Sequence, residues 1–236
     1  MSDQMEIEGG AGRVVEAWGR IEAWLRERAP RSHATLLPPA TEAEMAEGER
    51  LLATAWRPAG QEPLSFPPEL KALWRLCASA RNDEDVEGDE EGEIWAELFL
   101  PGGRVFLPPI DMAQARLGVE AVAGDTRYWT PSHNVPCVVR YPETVESGLY
   151  IRACTGPEQG VMGRFAVYEG HDIDEPTHPS LSSYLEAVAA VLEHGGGPLG
   201  DDKFYRPAVS LGCLIWVCPD SDELDVPWEL VHPQHR

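Results

Sequence analysis

The sequence lacks long apolar stretches and has few cysteines. No apolar run approaches the roughly 20 residues that a membrane-spanning helix needs. Residues 1–10 are acidic and polar, unlike a secretory signal, so we expect a cytoplasmic protein. An odd number of scattered cysteines predicts reduced, mostly buried thiols and no disulfide framework. The five are Cys77, Cys137, Cys154, Cys213 and Cys218.

Basic residues are also scarce. There are 19 Lys and Arg residues against 40 Asp and Glu residues, which gives a formal net charge of −21. Because phosphate contacts require Lys and Arg, this balance argues against nucleic acids and anionic membranes as partners. It suits a basic protein partner, since opposite potentials speed encounter. An acidic surface also keeps a protein soluble without implying any partner, and that interpretation stays open.

Recognisable catalytic patterns are missing too. The sequence has no His-Glu-x-x-His, no Gly-x-Ser-x-Gly, and no phosphate-binding glycine loop that leads into a helix. Cys213 and Cys218 have no second Cys/His pair that would complete a zinc site. The densest His/Asp cluster falls in a predicted loop, and we interpret it as a polar surface because catalysis also needs a shaped pocket. It comprises His171, Asp172, Asp174 and His178. We therefore predict a non-catalytic protein without cofactor or metal.

Two helix starts preceded by proline are the most informative features present. In residues 38–44, Thr41 and Glu44 have the spacing of a capping box. In residues 66–74, proline occupies a first helical turn, where its missing N–H is not needed. We expect the first of these helices to run to about Ala53. The second should bury Leu70, Leu73, Trp74 and Cys77.

The remaining pattern predicts more helices around a run of strands. An amphipathic helix with Val14, Trp18, Ile21 and Leu25 inward should end at Pro30. A hairpin over 94–100 and 104–107, and a short helix capped by Asp111 with Gln114, should follow. Three strand candidates with short connections predict an antiparallel meander, and a helix should run from Ser180 to the glycines at 195–197. The strands are 135–141, 149–154 and 161–168.

Helices, then strands, then a helix indicate an α+β fold. We expect a mostly antiparallel twisted sheet, flanked by N-terminal helices and a C-terminal helix. Residues 1–12 are predicted to be disordered and 13–195 to form the domain. Residues 196–236 should be a C-terminal extension that packs on the domain, because an apolar strand over 211–218 would otherwise be an aggregation hazard.

Five segments, in this order, resemble the SMI1/KNR4 family of the SUKH superfamily. They are the helix that contains Trp18, the helix start in 37–44, the helix start in 66–74, the segment 128–138 in which Trp precedes a strand, and the glycine turn in 156–161 followed by the helix in 181–185. The chain departs from the family pattern after the third helix, where glycine is usual, and on the strand before the glycine turn, where aspartate is usual. The resemblance implies a protein-binding module. Bacterial members are similar to immunity proteins that neutralise polymorphic toxins, and fungal relatives resemble regulatory scaffolds with several weak partners.

The candidate partner-binding residues follow from charge and from exposed aromatics. An acidic run over 83–93 can be the face for a basic toxin domain, such as a nuclease, or a solvated loop without a partner. An aromatic pair in a loop-like stretch can anchor an interface or pack under the sheet. We expect a monomer when the chain is free. The candidate residues are Asp83, Glu84, Asp85, Glu87, Asp89, Glu90, Glu91, Tyr128 and Trp129.

Overall fold

The computed structural model describes residues 2–55, 60, 62–81, 95–123, 133–140, 145–166, 176–195, 199, 202, 204–218 and 226–232. Its helices and antiparallel strands confirm the predicted α+β class. The helices are α1 (Ser2–Arg28), α2 (Pro30–Thr35), α3 (Glu42–Leu52), α4 (Pro68–Trp74), α5 (Pro109–Ala123) and α6 (Leu181–His194). The strands are β1 (Val105–Phe106), β2 (Asn134–Val139), β3 (Ser147–Arg152), β4 (Met162–Ala166), β5 (Pro176–His178), β6 (Arg206–Ser210), β7 (Cys213–Val217) and β8 (Glu229–Leu230).

The main sheet has five strands in the order β1-β2-β3-β4-β5, with every neighbouring pair antiparallel. The predicted meander of β2, β3 and β4 is therefore confirmed, while β5 falls in a stretch that we expected to be a loop. In this sheet, Val135 of β2 lies opposite Ile151 of β3, which in turn lies opposite Met162 of β4. All three side chains are fully buried. The register between β2 and β3 shifts just after Pro136. An irregularity at this point suits proline, which has no N–H to donate to the ladder.

Helices α1 and α6 pack side by side and run in the same direction. Two ion pairs join the helices, Arg13 with Glu186 and, one pair further along both helices, Arg20 with Glu193. The predicted inward stripe of α1 is confirmed, because its members are 0–1% exposed: Val14, Trp18, Ile21 and Leu25. The described backbone of α1 begins at Ser2, within the residues 1–12 that we expected to be disordered. None of the helices in the described part of the chain is long and apolar enough to cross a membrane.

The two helices that follow proline form largely as predicted. Thr41 and Glu44 make both hydrogen bonds of the capping box at the start of α3. Pro68 occupies the first turn of α4, and Trp74 is fully buried, with its indole Nε1 donating to the Leu107 carbonyl at 3.1 Å. Helix α4 ends at Trp74, earlier than predicted, and Cys77 is buried beyond that end.

The hairpin over 94–100 and 104–107 is not formed in the residues that the structure describes there. Residues 96–100 are all buried, and only a single bridge joins Leu100 to Arg104. The Leu98 N–H donates to the Trp95 carbonyl, so this segment is a turn. Strand β1, which was expected to pair with it, pairs with β2 instead. The predicted cap at Asp111 is also wrong. Proline is favoured in a first turn, so α5 begins two residues earlier at Pro109.

The end of the chain forms a second, three-stranded sheet in the order β7-β6-β8. Strand β7 confirms the strand expected within 211–218. The extension packs on the rest of the fold through specific contacts. The backbone N–H of Leu214 donates to the Ser32 hydroxyl at 3.0 Å, and Trp216 Nε1 donates to the Phe99 carbonyl at 2.7 Å. Strands β6 and β8 were not predicted from the sequence.

Candidate functional site

The nine candidate partner-binding residues lie outside the described residues. The structure does show where the flanking chain is fixed. Ala80 pairs with Leu36, and the Arg81 N–H donates to the Thr35 carbonyl at 3.0 Å, so the chain enters the acidic segment beside α2. We call residues 83–93 the acidic segment. The segment holding the aromatic pair Tyr128 and Trp129 connects α5 to β2.

The histidine and aspartate cluster is only partly described. His171, Asp172 and Asp174 lie outside the described residues, whereas His178 stands in β5 and is buried. Its ring meets that of Tyr184 edge-on, with centroids 5.1 Å apart. Within the described ranges, no three His, Cys, Asp or Glu side chains are arranged to hold a metal ion. The environment of His178 is that of a core residue.

Three cysteines, two of them buried and the third half-buried, are poor nucleophiles. Burial raises the pKa of Cys77 to about 12, and its Sγ donates to the Ser79 carbonyl. Burial also raises the pKa of Cys137 and of Cys154. Because the thiolate is the reactive form, these three thiols stay protonated and unreactive near neutral pH.

A buried charged cluster joins the end of the chain to the main sheet. Arg104 Nη1 donates to Asp202 Oδ2 at 2.6 Å, and both side chains are less than a tenth exposed. Burial by itself would lower the pKa of Arg104, but the charge and hydrogen bond of Asp202 outweigh it, so the pKa is raised. Burial, with the negative charge of Asp202, raises the pKa of nearby Tyr184, which therefore stays protonated. A paired carboxylate and a protonated phenol have a structural role here. No motif in the sequence linked Arg104 to Asp202.

Glu69, in the proline-containing segment 66–74, caps a different helix. Its Oε2 accepts the Ser182 N–H at 3.0 Å, and its Oε1 accepts the Ser182 hydroxyl at 3.0 Å. A carboxylate at a helix N-terminus satisfies donors that lack partners within the helix and complements the helix dipole. Gly10 of α1 packs against the same carboxylate, where a side chain would collide with it.

The other proline-containing segment is also architectural. The Ala40 N–H donates to the Trp74 carbonyl at 2.8 Å, which ties the start of α3 to the end of α4. Phe66 meets Trp74 edge-on, with ring centroids 4.7 Å apart. The residues that carry the family resemblance in 37–44 and 66–74 thus build the helical layer.

The protein carries a large excess of negative charge. Several basic side chains are already paired within the described fold, for example Lys71 with Glu49 and Arg152 with Glu158. With a net charge of −21, at least that many carboxylates have no basic residue of their own to pair with. Such a surface attracts cationic macromolecules at long range.

No protein-family model matches the sequence, and no curated protein matches it significantly.

Proposed function

We propose that this chain is a non-catalytic protein-binding module of the SMI1/KNR4 type, which acts in the cytoplasm by neutralising a basic toxin domain. The observation that carries this proposal is the excess of carboxylates, a net charge of −21, whose densest run is the acidic segment. A nuclease must carry Lys and Arg to hold its substrate. An acidic immunity protein can occupy that site in place of the phosphates.

The structure supports this proposal through the roles of the motif residues. Thr41, Glu69 and Trp74 are committed to caps and core, so the acidic segment is left as the chemically distinctive part of the chain. The buried cysteines Cys77 and Cys137 keep their protons, which disfavours covalent catalysis by these two residues.

Growth rescue tests the proposal. The chain is co-expressed with the product of the adjacent gene, and growth and co-purification are scored together. We expect the wild-type chain to restore growth and to co-purify with one tightly bound partner. Replacement of the acidic side chains in the acidic segment should abolish both effects. The quadruple variant is Asp85→Asn, Glu87→Gln, Asp89→Asn and Glu91→Gln.

A matched control separates the acidic segment from overall charge. Four exposed carboxylates elsewhere can be neutralised for the same change in net charge: Glu16→Gln, Glu27→Gln, Glu146→Gln and Glu229→Gln. This control should still rescue growth. Equal loss in both variants would show that only the total charge matters. Full activity of the acidic-segment variant would overturn the proposal, and recovery of several weak partners would favour the regulatory scaffold.

A further inference from the structure

The chain enters the acidic segment along the end of helix α2. We call residues 79–81, which precede the acidic segment, the entry stem. In this stem the Ser79 carbonyl accepts the Leu37 N–H at 2.9 Å. The Arg81 N–H donates to the Thr35 carbonyl at 3.0 Å. Thr35 is the last residue of α2, and Leu37 lies two residues beyond it, so the position of the entry stem depends on the position of α2.

The C-terminal hairpin of β6 and β7 holds α2 in turn. The backbone N–H of Arg31, in α2, donates to the carbonyl of Gly212 in the hairpin turn at 3.0 Å. The Leu214 N–H of β7 donates to the Ser32 hydroxyl at 3.0 Å, and Ser32 is fully buried. Strand β7 lies at an edge of its sheet, and a buried N–H on such an edge needs an acceptor from outside the sheet. Ser32 supplies that acceptor, so the contact fixes β7 against α2.

The same strand also holds the chain where it leaves the acidic segment. We call residues 95–99, which form a turn, the exit stem. Trp216 of β7, two residues after Leu214, donates its Nε1–H to the Phe99 carbonyl at 2.7 Å, and Trp216 is buried. One short strand of the C-terminal extension therefore contacts α2, against which the entry stem lies, and contacts the exit stem directly.

We propose that β7 couples the two stems into one unit, so that the C-terminal extension sets the position from which the acidic segment meets its partner. Ends that are already fixed reduce the conformational entropy that is lost on binding. Partner binding and the seating of β7 then favour each other, because coupling between two sites is reciprocal. The positioning role rests on the proposed function, whereas the coupling of the stems does not.

Native-state hydrogen exchange, followed by NMR on the full chain, tests the coupling without any partner. Ser32→Ala removes the acceptor of the Leu214 N–H, and Trp216→Phe removes the donor to the Phe99 carbonyl. Each variant should speed amide exchange at both stems by at least about fivefold, the smallest effect expected when a buried group loses its hydrogen-bond partner. The reporting amides are those of Arg81 in the entry stem and Leu98 in the exit stem.

Two controls separate coupling from a general loss of stability. Ser210→Ala makes the same chemical change in the same hairpin, but the Ser210 hydroxyl donates to the Pro227 carbonyl at 2.7 Å and not to α2, so exchange at both stems should stay unchanged. The Arg152 N–H, which donates to the Val161 carbonyl in the main sheet at 2.9 Å, should exchange at the wild-type rate in every variant. Acceleration only at the stem nearest each substitution, or equal acceleration at Arg152, would overturn the coupling.

The growth-rescue assay then tests the positioning role, with the product of the adjacent gene as the probe. Ser32→Ala should co-purify with clearly less of this product than Ser210→Ala does. Coupled stems with undiminished co-purification by Ser32→Ala would overturn the positioning role. If the wild-type chain itself fails to rescue growth, the proposed function and with it the positioning role are wrong, whereas the coupling of the stems is still decided by hydrogen exchange.

Discussion

Gly48 tests how closely α3 and α5 pack. It lies within α3, buried against the first turn of α5. A Cβ added there would lie 2.7 Å from the Pro109 carbonyl oxygen and 3.0 Å from Phe66 Cε2. The first contact is with backbone, so rotation of a side chain cannot relieve it, and Gly48→Ala must push the two helices apart.

The expected magnitude follows from two opposing effects. Alanine gains about 1 kcal/mol over glycine in a helix interior. Overpacking in a tight core costs about 1–3 kcal/mol, and a clash with backbone belongs at the upper end of that range. We expect a net loss of about 2 kcal/mol in the free energy of unfolding. In a protein of this size, that loss lowers the thermal midpoint by about 4–8 °C.

Gly19→Ala is the matched control, because it makes the same chemical change in another helix. Nothing lies within 4 Å of a Cβ at Gly19, so only the gain in helix propensity remains. Its thermal midpoint, followed by circular dichroism, should rise by about 2 °C. A Gly48→Ala protein as stable as Gly19→Ala would refute the close approach of α3 to α5.

Three further predictions concern the core and its caps. Glu69→Ala should cost about 1–3 kcal/mol in urea unfolding, because the two donors of Ser182 lose a charged acceptor; an unchanged midpoint would contradict the cap. Trp74→Ala should cost about 3–5 kcal/mol as a buried aromatic truncation, and an unaltered thermal midpoint would show that Trp74 is not in the core. Cys77 should resist iodoacetamide at about pH 8 in the native protein and react after denaturation, as mass spectrometry can show; rapid native labelling would contradict its burial.

Local signals made much of the fold predictable. The capping box of Thr41 and Glu44 and the cap of α6 by Ser180 each involve residues three apart, so the sequence shows them directly. The meander was predictable because short turns leave antiparallel pairing as the simplest arrangement. The inward stripe of α1 was visible as a helical period, but this period begins only at Val14, whereas α1 begins at Ser2.

Contacts distant in sequence were not predictable from these signals. Trp216 donates to the carbonyl of Phe99, and Arg104 pairs with Asp202, across about half the chain. Residues 96–100 resemble a strand in composition, but tertiary contacts bury all of them and leave a turn. For the candidate site, the only signal in the sequence was charge, which pointed to the acidic segment.

The dependence of the association rate on salt tests the central claim most directly. The partner that co-purifies in the growth-rescue experiment is mixed with the full chain at about 50 mM and about 500 mM salt, and association is followed by stopped-flow fluorescence. If an acidic face steers the chain toward a basic partner, the association rate constant should fall at least about tenfold with added salt. The acidic-segment variant should associate slowly even at the low salt concentration, and its rate constant should fall only slightly with added salt. A rate constant that stays the same at both salt concentrations would contradict the account.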